Sequence, residues 1–358
     1  MTPARAGTLL AGRYALMGQL ASGSEGEVWH AEQVLSRRPV ILKRWRLPRR
    51  VTDGEGERFV ESTRAHARLE HPGIVEVLDA GFDEADHAFV VMQRLIGETL
   101  ETRLARGPLA TAEALDVFTQ LLDALAVAHG AGVVHRDLKP ANVFLATGHR
   151  GERLVKLLDF GVALSLQSIL PRVTPAGVYL GTPAYMAPEQ LDDPAHVGPA
   201  ADVWAVGVML HQALADRMPF AGELDALLAQ ARAGWDPEGS ADDLAPPWAA
   251  LIARCLRPAP DERLADAAEL AQALRALAPR RWPFAALGAA IAIVSIAVLA
   301  STNAVLVPLV TGQWGYWVSD HVWSPLFLWS GLVGLGIAAA LLVLAWRQHQ
   351  LQRTSVEP

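Results

Sequence analysis

Residues 135–142 read His-Arg-Asp-Leu-Lys-Pro-Ala-Asn, and this stretch decides how the whole chain is interpreted. It places a carboxylate, an amine and an amide, on Asp137, Lys139 and Asn142, in one loop that follows a helical pattern. A carboxylate can accept a proton, an amine can neutralise a phosphate, and an amide oxygen can ligate a metal ion. Taken alone, the motif is also compatible with an ordinary polar loop.

A second acidic motif follows at a defined distance. Asp159-Phe160-Gly161 begins 17 residues after Asn142 and comes directly after the apolar run 154–158. Mg²⁺ prefers carboxylate and amide oxygens, so Asn142 and Asp159 are expected to hold it together. The two motifs would rarely occur by chance in this order and at this spacing, which argues against two unrelated polar loops.

With these motifs the chain resembles the protein kinases, and more narrowly the bacterial Ser/Thr kinases related to the eukaryotic ones, over residues 13–278. The resemblance implies an α+β, bilobal protein-kinase fold: a small β-rich N-lobe at 13–95 and a larger α-helical C-lobe at 96–278, after an N-terminal extension at 1–12. ATP would bind in the cleft, with Mg²⁺ as the metal ion and Mn²⁺ as an alternative.

The resemblance also assigns roles to the residues of the two motifs. Asp137 would accept or orient the proton of the substrate hydroxyl, and Lys139 would stabilise the transferred γ-phosphoryl group. Asn142 and Asp159 would hold Mg²⁺, which neutralises the charge that develops on the phosphates. His135 is expected to pack and hydrogen-bond rather than to act as a base.

Two landmarks further along the chain fit the same family. Residues 181–189 read GTPAYMAPE and look like the end of an activation segment. Asp202 would begin the large-lobe helix that braces the catalytic loop, and Arg263 looks like the late arginine that pairs with Glu189.

Residues 162–180 lie between the activation-segment landmarks and contain three candidate phosphoacceptors, Ser165, Ser168 and Thr174. In the resembled family the arginine before the catalytic aspartate, here Arg136, commonly binds an activation-loop phosphate. Phosphorylation of Ser168 or Thr174 would then order the segment through Arg136. The alternative is that these hydroxyls are merely solvated.

The nucleotide side of the pattern is less regular. Residues 20–28, LASGSEGEV, resemble the glycine-rich loop over the phosphates, with Ala21 in place of the family's first glycine. Lys43 falls where the phosphate-holding lysine belongs. The residues expected to bind ATP are Leu20, Gly23, Gly26, Val28, Ile41, Lys43 and Phe144. The apolar residues that would enclose the adenine, or serve as ordinary core packing, are Val28, Ile41 and Phe144.

The helix after Lys43 departs most sharply from the family pattern. Alignment puts Ser62 where a glutamate belongs, with Glu61 beside it. One residue along a helix turns the side chain by about 100°, so Glu61 would not face the cleft in the same register. Three interpretations stay open: the alignment is off by one, a local irregularity brings Glu61 in, or Lys43 lacks its usual partner and phosphate positioning is looser.

Apolar periodicity predicts a β-rich part followed by a helical part. Short strands are expected at 27–30, 40–43, 74–78 and 88–92, with one helix near 57–69 among them, and longer helices at 111–129, 201–214 and 264–277.

The chain of 358 residues is 51% apolar and only 19% charged, and the apolar excess is concentrated near its end. Residues 284–306 and 325–346 are uncharged apolar runs, each long enough to cross about 30 Å of hydrocarbon. Arginines flank both runs, whereas the turn at 307–324 has no Lys or Arg. The positive-inside tendency therefore places the juxtamembrane linker, 279–283, and the tail, 347–358, in the cytoplasm. The alternative is a pair of buried core helices.

These patterns predict a multi-pass protein of the inner membrane with its large N-terminal module in the cytoplasm. A net charge of −7 excludes a basic nucleic-acid-binding protein, and a single cysteine, Cys255, excludes an internal disulfide. Ser330, Gly334 and Ala338 put small residues four apart in the second run, a spacing that would allow close helix packing and a homodimer.

The leading hypothesis is a membrane-anchored Ser/Thr protein kinase that transfers the γ-phosphoryl group of ATP to protein hydroxyls, autophosphorylates and takes part in bacterial signalling. By resemblance, Lys139 together with Thr182 indicates Ser/Thr acceptors on protein substrates. The alternative is a membrane-held pseudokinase scaffold that binds nucleotide with weak or no phosphotransfer. Ala21 and Ser62 favour the scaffold, whereas the intact catalytic and metal-binding residues favour catalysis.

Overall fold

The computed structural model divides the chain into two compact units, Met1–Ala278 and Pro279–Pro358, and every described residue lies in the first unit. The described residues are 5–23, 26–45, 47, 51–148, 150–159, 183–192, 197–238 and 244–278.

The N-terminal part of the unit is an antiparallel sheet whose strands pair in the order β1-β2-β3-β4-β6-β5. Their bounds are β1 Leu9–Leu10, β2 Tyr14–Gly23, β3 Gly26–Gln33, β4 Pro39–Trp45, β5 Val77–Phe82 and β6 Ala88–Gln93. Because side chains alternate along a strand, β4 buries its residues in two different clusters. Leu42 joins Trp29 on one face, whereas Trp45 is buried on the other face. Lys43 lies on the face of Trp45, with its Nζ 5.2 Å from that ring's centroid.

Helix α1, Asp53–Ala67, packs on the face of the sheet that carries Trp45. The Thr52 amide donates to Glu55 Oε2 at 3.0 Å, the reciprocal contact of a capping box, which fixes where the helix begins. Phe59 is fully buried and packs against the rings of Trp45 and Phe82, with centroids 6.4 and 5.2 Å away. The helix is thereby held beside the strand that carries Lys43.

The C-terminal part is mainly helical and is built around one buried helix. The helices are α2 Leu100–Leu104, α3 Thr111–Gly130, α4 Pro188–Asp192, α5 Ala200–Ala215, α6 Leu224–Ala233, α7 Pro246–Cys255 and α8 Ala267–Ala276. Helix α5 buries residues on all sides, as expected for a central core helix. A Cβ added at Gly207 would lie 2.5 Å from the Cβ of Cys255, so α5 and α7 approach closely only because position 207 is glycine.

A small antiparallel sheet connects the two sequence motifs of the site. Its strands are β7 Gly97–Thr99, β8 Val143–Thr147 and β9 Arg153–Leu157, in the order β7-β8-β9. The loop with the His-Arg-Asp motif ends in a 3-10 turn, Pro140–Asn142, directly before β8, and Asp159 follows β9. The hairpin of β8 and β9 therefore brings the two motifs of the sequence side by side.

The expected bilobal α+β fold, with a sheet-rich N-lobe and a helical C-lobe, is confirmed. The strand expected at 74–78 begins later, at Val77, because Ile74 makes a single bridge to Leu157 and joins the core of the helical lobe. The apolar runs at 284–306 and 325–346 lie outside the described residues. Within the described residues, no helix combines the length and the hydropathy that a membrane span requires.

Candidate active site

Asp202, in the first turn of α5, holds the catalytic loop in place. Its carboxylate accepts hydrogen bonds from the backbone amides of His135 and Arg136, both at 2.8 Å. Arg136 has a φ of +65°, a left-handed conformation that costs a non-glycine residue of order 1–3 kcal/mol and needs support from its surroundings. The expectation that the helix beginning near Asp202 braces this loop is confirmed.

The structure brings the three chemical groups of the loop together. Asn142 donates from Nδ2 to the backbone carbonyl of Asp137 at 2.7 Å and to its Oδ2 at 3.1 Å. Lys139 Nζ lies 3.3 Å from the same Oδ2. An ionised carboxylate with an ammonium and an amide beside it is a proton acceptor next to a fixed positive charge. This arrangement suits proton removal from a hydroxyl that attacks a phosphate.

Asp159 lies beside this loop and pairs with Lys43. Lys43 Nζ lies 2.8 Å from Asp159 Oδ2, and their side chains are 10% and 19% exposed. Burial alone would raise the pKa of Asp159, but Lys43, together with His135 and His66, lowers this pKa below its usual value. Asp159 is therefore an ionised ligand at neutral pH. His135 Nε2 hydrogen-bonds the carbonyl of Leu158 at 2.8 Å, which supports its expected structural role.

Helix α1 supplies no carboxylate to Lys43. The helix is continuous across the critical positions, Glu61 is exposed and Ser62 is half-buried. Among the described residues, Asp159 is the only carboxylate within ion-pair distance of Lys43 Nζ. The structure therefore supports the third interpretation of this helix, in which Lys43 lacks the usual helix partner.

The glycine-rich stretch forms the hairpin between β2 and β3. Val28 of β3 is paired with Lys43 of β4, so the hairpin is anchored directly beside the lysine. Gly26 has a φ of +110°, and a Cβ there would lie 2.4 Å from the carbonyl oxygen of Arg44, so no other residue fits. Ala21 is not among the residues with positive φ, which explains why alanine is tolerated at that position.

The remaining predicted ATP-binding residues lie on the strands around these anchors. Leu20 is 51% exposed near the end of β2, and Gly23 closes that strand. Val28, Ile41 and Phe144 are each half-buried, on β3, β4 and β8. Ile41 also packs against the core cluster beneath α1. Their role in enclosing the adenine stays a prediction.

The segment after the activation loop is tied to the helical lobe by a buried ion pair. The two terminal nitrogens of the Arg263 guanidinium, Nη1 and Nη2, donate to the Glu189 carboxylate at 2.6 and 2.8 Å, as expected. The guanidinium carbon also lies 4.9 Å from the centroid of the Trp204 ring. Ser165, Ser168 and Thr174 lie outside the described residues, so their phosphorylation stays a prediction.

Sequence reasoning missed a positioning role for His129. This residue, on α3, contacts Asp202 Oδ2 through Nε2 at 2.9 Å and accepts a hydrogen bond at Nδ1 from the amide of Ala267 at 3.2 Å. The second contact identifies Nδ1 as the acceptor, so Nε2 carries the hydrogen and donates to Asp202. His129 thus connects the brace of the catalytic loop to the start of α8. No local pattern could have revealed this, because its partners lie 73 and 138 residues away along the chain.

His66 lies close enough to His135 and Asp159 for both groups to affect its pKa. It is 2% exposed on α1, and burial and the nearby His135 lower its pKa to about 4, with Asp159 opposing the shift. His66 is therefore neutral at physiological pH.

The donor set fits a Mg²⁺–ATP complex. Because Asn142 donates through Nδ2 to Asp137, its Oδ1 is the atom left to ligate a metal ion, as is the second oxygen of the Asp159 carboxylate. In the described part of the chain, no group of three or more His, Cys, Asp or Glu side chains could form a protein-only cage. Mg²⁺ commonly takes one or two protein oxygens and completes its shell with phosphates and water, which this pair allows.

Comparison with solved structures and curated proteins agrees with this geometry. The kinase domain of PknI from Mycobacterium tuberculosis superposes with a TM-score of 0.58 at 26% identity, covering 77% of this chain and 99% of that one. The chain is 37% identical over 275 residues to the serine/threonine-protein kinase pkn2 of Myxococcus xanthus, covering 75% of this chain and 33% of that protein. It is also 37% identical over 276 residues to the serine/threonine-protein kinase PknL of Mycobacterium tuberculosis, covering 75% of this chain and 67% of that protein.

The family model described as the protein kinase domain matches residues 14–275. Fold and site define a two-lobed phosphotransferase, and the chain belongs to the protein kinase family. The prediction of a protein kinase is thereby confirmed. The match spans a third of pkn2 and about two thirds of PknL.

Proposed function

We propose that this protein is a Ser/Thr protein kinase that transfers the γ-phosphoryl group of ATP to hydroxyl groups of protein substrates. The observation that carries the proposal is the cluster in which Lys139 and Asn142 both contact the Asp137 carboxylate. Asp137 accepts the hydroxyl proton as the oxygen attacks the γ-phosphorus, the bond to the bridging β–γ oxygen breaks, and ADP leaves. Lys139 balances the negative charge that develops on the transferred group.

Binding of nucleotide and metal is assigned to Lys43, the β2–β3 hairpin and Asp159, together with Asn142 of the catalytic loop. Lys43 would attract the phosphates, and the β2–β3 hairpin would cover them. Asp159 and Asn142 would hold Mg²⁺, which when bound neutralises charge on the phosphate oxygens. Mn²⁺, which also accepts oxygen ligands, is expected to substitute.

Selectivity for serine and threonine is supported by Lys139 and by the similarity to pkn2 and PknL, which are named serine/threonine-protein kinases. The pseudokinase scaffold is not favoured, because the proton acceptor, the phosphate-neutralising lysine and both predicted metal ligands are present together. Autophosphorylation in bacterial signalling belongs to the same proposal.

Anchoring in the inner membrane also belongs to the proposal. Its support is the amino-acid sequence: two uncharged apolar runs, at 284–306 and 325–346, with arginines on their outer flanks. Expression of the full chain with a reporter fused to its C-terminus tests this topology. Cytoplasmic reporter activity and recovery in the membrane fraction are expected, whereas recovery in the soluble fraction would remove the anchoring proposal.

The activity is tested by incubating the full chain with Mg²⁺ and γ-labelled ATP, with a generic protein substrate present. Label on phosphoserine and phosphothreonine is expected, and the Asp137→Asn variant should transfer about 10²–10⁴-fold more slowly. Asp116→Asn, which alters an exposed carboxylate on α3, is the matched control and should match the wild type. Wild-type transfer at the level of Asp137→Asn, with ATP still bound, would refute the kinase activity and restore the scaffold.

A further inference from the structure

Gln190, on α4, connects the catalytic loop to the segment that leads out of the activation loop. Its Nε2 donates to the backbone carbonyl of Arg136 at 2.7 Å, and its Oε1 accepts from the amide of Ala187 at 3.0 Å. A side-chain amide is required for this pair of bonds, because it alone offers a donor and an acceptor on one rigid plane at this length.

The carbonyl that Gln190 binds belongs to Arg136, a residue that several other contacts also hold in place. Arg136 is the left-handed residue directly before Asp137, and its amide is already held by Asp202 at 2.8 Å. Its guanidinium donates to the carbonyl of Val197 at 3.2 Å. Since Gln190 binds the carbonyl, both polar backbone groups of Arg136 are hydrogen-bonded. These two bonds fix the backbone directly before Asp137 and thereby orient the Asp137 side chain.

The other end of the bridge is equally well placed. Ala187 is fully buried and closes the stretch Pro183–Tyr185 and Met186, which follows Thr182. Gln190, Tyr185 and Met186 line one small cavity together with Arg136, Asp137 and Lys139. The neighbouring Glu189 is locked to Arg263, so the helix that carries Gln190 has a fixed position.

We propose that Gln190 is a positioning residue that sets the distance between the proton acceptor Asp137 and the segment of Tyr185 and Met186, which lines the same small cavity. The proposal rests on the proposed phosphotransfer to protein hydroxyls. Gln190 touches neither reactant and acts through Arg136 and Ala187. Its loss would misplace Asp137 relative to the hydroxyl but would leave the nucleotide side, on Lys43 and Asp159, unaffected.

The test compares Gln190→Met with Gln230→Met in the full chain. Methionine keeps the length and the helix propensity of glutamine but forms neither hydrogen bond. Gln230, on α6, makes the same kind of paired contact, with the carbonyl and the amide of Ala221 at 2.7 and 3.2 Å, far along the chain from the site. The Gln230→Met variant therefore reports the structural cost of losing such a bridge without any effect on the loop.

For Gln190→Met we expect kcat to fall by about tenfold to hundredfold while the KM for ATP stays within about twofold of wild type. A second variant, Gln190→Glu, retains the acceptor for Ala187 but turns lone pairs toward the Arg136 carbonyl, and kcat should fall at least as far. For Gln230→Met, kcat and both KM values should match the wild type. Equal kcat for Gln190→Met and Gln230→Met would overturn the proposal, as would a fall in kcat accompanied by an equal rise in the KM for ATP.

Hydrogen exchange of the His135 and Arg136 amides gives a readout that does not depend on activity. Gln190→Met should raise their exchange rates by about tenfold or more, since the loop loses one of its supports. Unchanged protection would overturn the proposal even if the kinetic constants moved. If the wild type transfers no phosphate, the proposed function fails, and the exchange rates still decide whether Gln190 positions the loop.

Discussion

The catalytic loop and the nucleotide side of this site differ in how firmly they are held. Asp202 of α5 and Gln190 of α4 fix the backbone around Asp137, and His129 fixes Asp202 in turn. Among the described residues, in contrast, Lys43 contacts one carboxylate, that of Asp159, which would itself be needed for the metal ion. The difference indicates that the backbone around the proton acceptor is firmly held in this chain. Phosphate positioning, in contrast, depends on the ion pair of Lys43 and Asp159, which the binding of Mg²⁺ and ATP would rearrange.

The largest effect is expected where the rigid side depends on one carboxylate. Asp202→Asn keeps the shape but replaces one acceptor with a donor that faces a backbone amide. The free energy of unfolding should fall by about 3 kcal/mol, because hydrogen bonds to a charged group are lost in a buried site. Chemical denaturation measures this change, with Asp116→Asn on the surface of α3 as the control. If Asp202→Asn lowers the free energy of unfolding no more than Asp116→Asn does, contacts other than those of Asp202 hold the loop.

A smaller effect is expected at the ion pair of Glu189 and Arg263. Glu189→Gln leaves the guanidinium buried, since the Arg263 side chain is 0% exposed, but its bonds to backbone carbonyls persist. The free energy of unfolding should fall by about 2 kcal/mol. The exposed pair of Glu98 and Arg106 provides the comparison, and Glu98→Gln should leave the melting temperature unchanged. Equal behaviour of the two variants would remove the distinction between buried and surface pairs.

On the nucleotide side, a pH-dependent contribution is expected from His66. Its pKa is about 4 in the folded chain against an ordinary value of 6.5, so the unfolded state binds the proton more readily between these values. The contribution is complete above pH 6.5 and is lost as the pH falls toward 4. Between pH 7.5 and pH 5 it amounts to about 2 kcal/mol. The pH dependence of unfolding should be shallower by that amount in His66→Leu, and identical slopes for both proteins would contradict the assignment.

The smallest effect is expected from Ser62→Glu, which offers Lys43 the helix carboxylate that it lacks. A second carboxylate would aim the lysine while Asp159 turns to the metal ion. The KM for ATP should fall about threefold, with kcat unchanged or slightly raised. Glu61→Gln, at the exposed neighbouring position, should have no effect. If Glu61→Gln weakens ATP binding instead, Glu61 is the working partner and the nucleotide side is not loosely held.

Short sequence motifs predicted most residues of the site. The remaining residues are part of the site through long-range contacts, which no motif reveals. Asp137, Lys139 and Asn142 lie within one loop, so their spacing already predicted that they act together. The spacing between the two motifs also predicted Asp159, whereas the pair of Glu189 and Arg263 was predicted from the resemblance to the protein kinases. Gln190 could not be found this way, because its partner Arg136 lies 54 residues away and glutamine is common on helix surfaces.

Periodicity predicted the elements well where one face of a helix or strand is buried. The long helix expected at 111–129 is found as α3, and the strand expected at 40–43 lies within β4. The prediction was less accurate at 74–78. This apolar run is buried against two different parts of the fold, so its hydrophobic residues do not follow the alternation of a single strand. For Ser62, the sequence left three interpretations open, and only the observed partner of Lys43 separated them.

The central claim is that Asp137, in the firmly held loop, performs the chemistry and contributes little to nucleotide binding. The most direct measurement is kcat together with the dissociation constant for Mg²⁺–ATP, in the full chain and in Asp137→Asn. The account predicts that kcat falls by about 10²–10⁴-fold while the dissociation constant stays within about twofold. An unchanged kcat, or a loss of ATP binding as large as the loss of kcat, would contradict it.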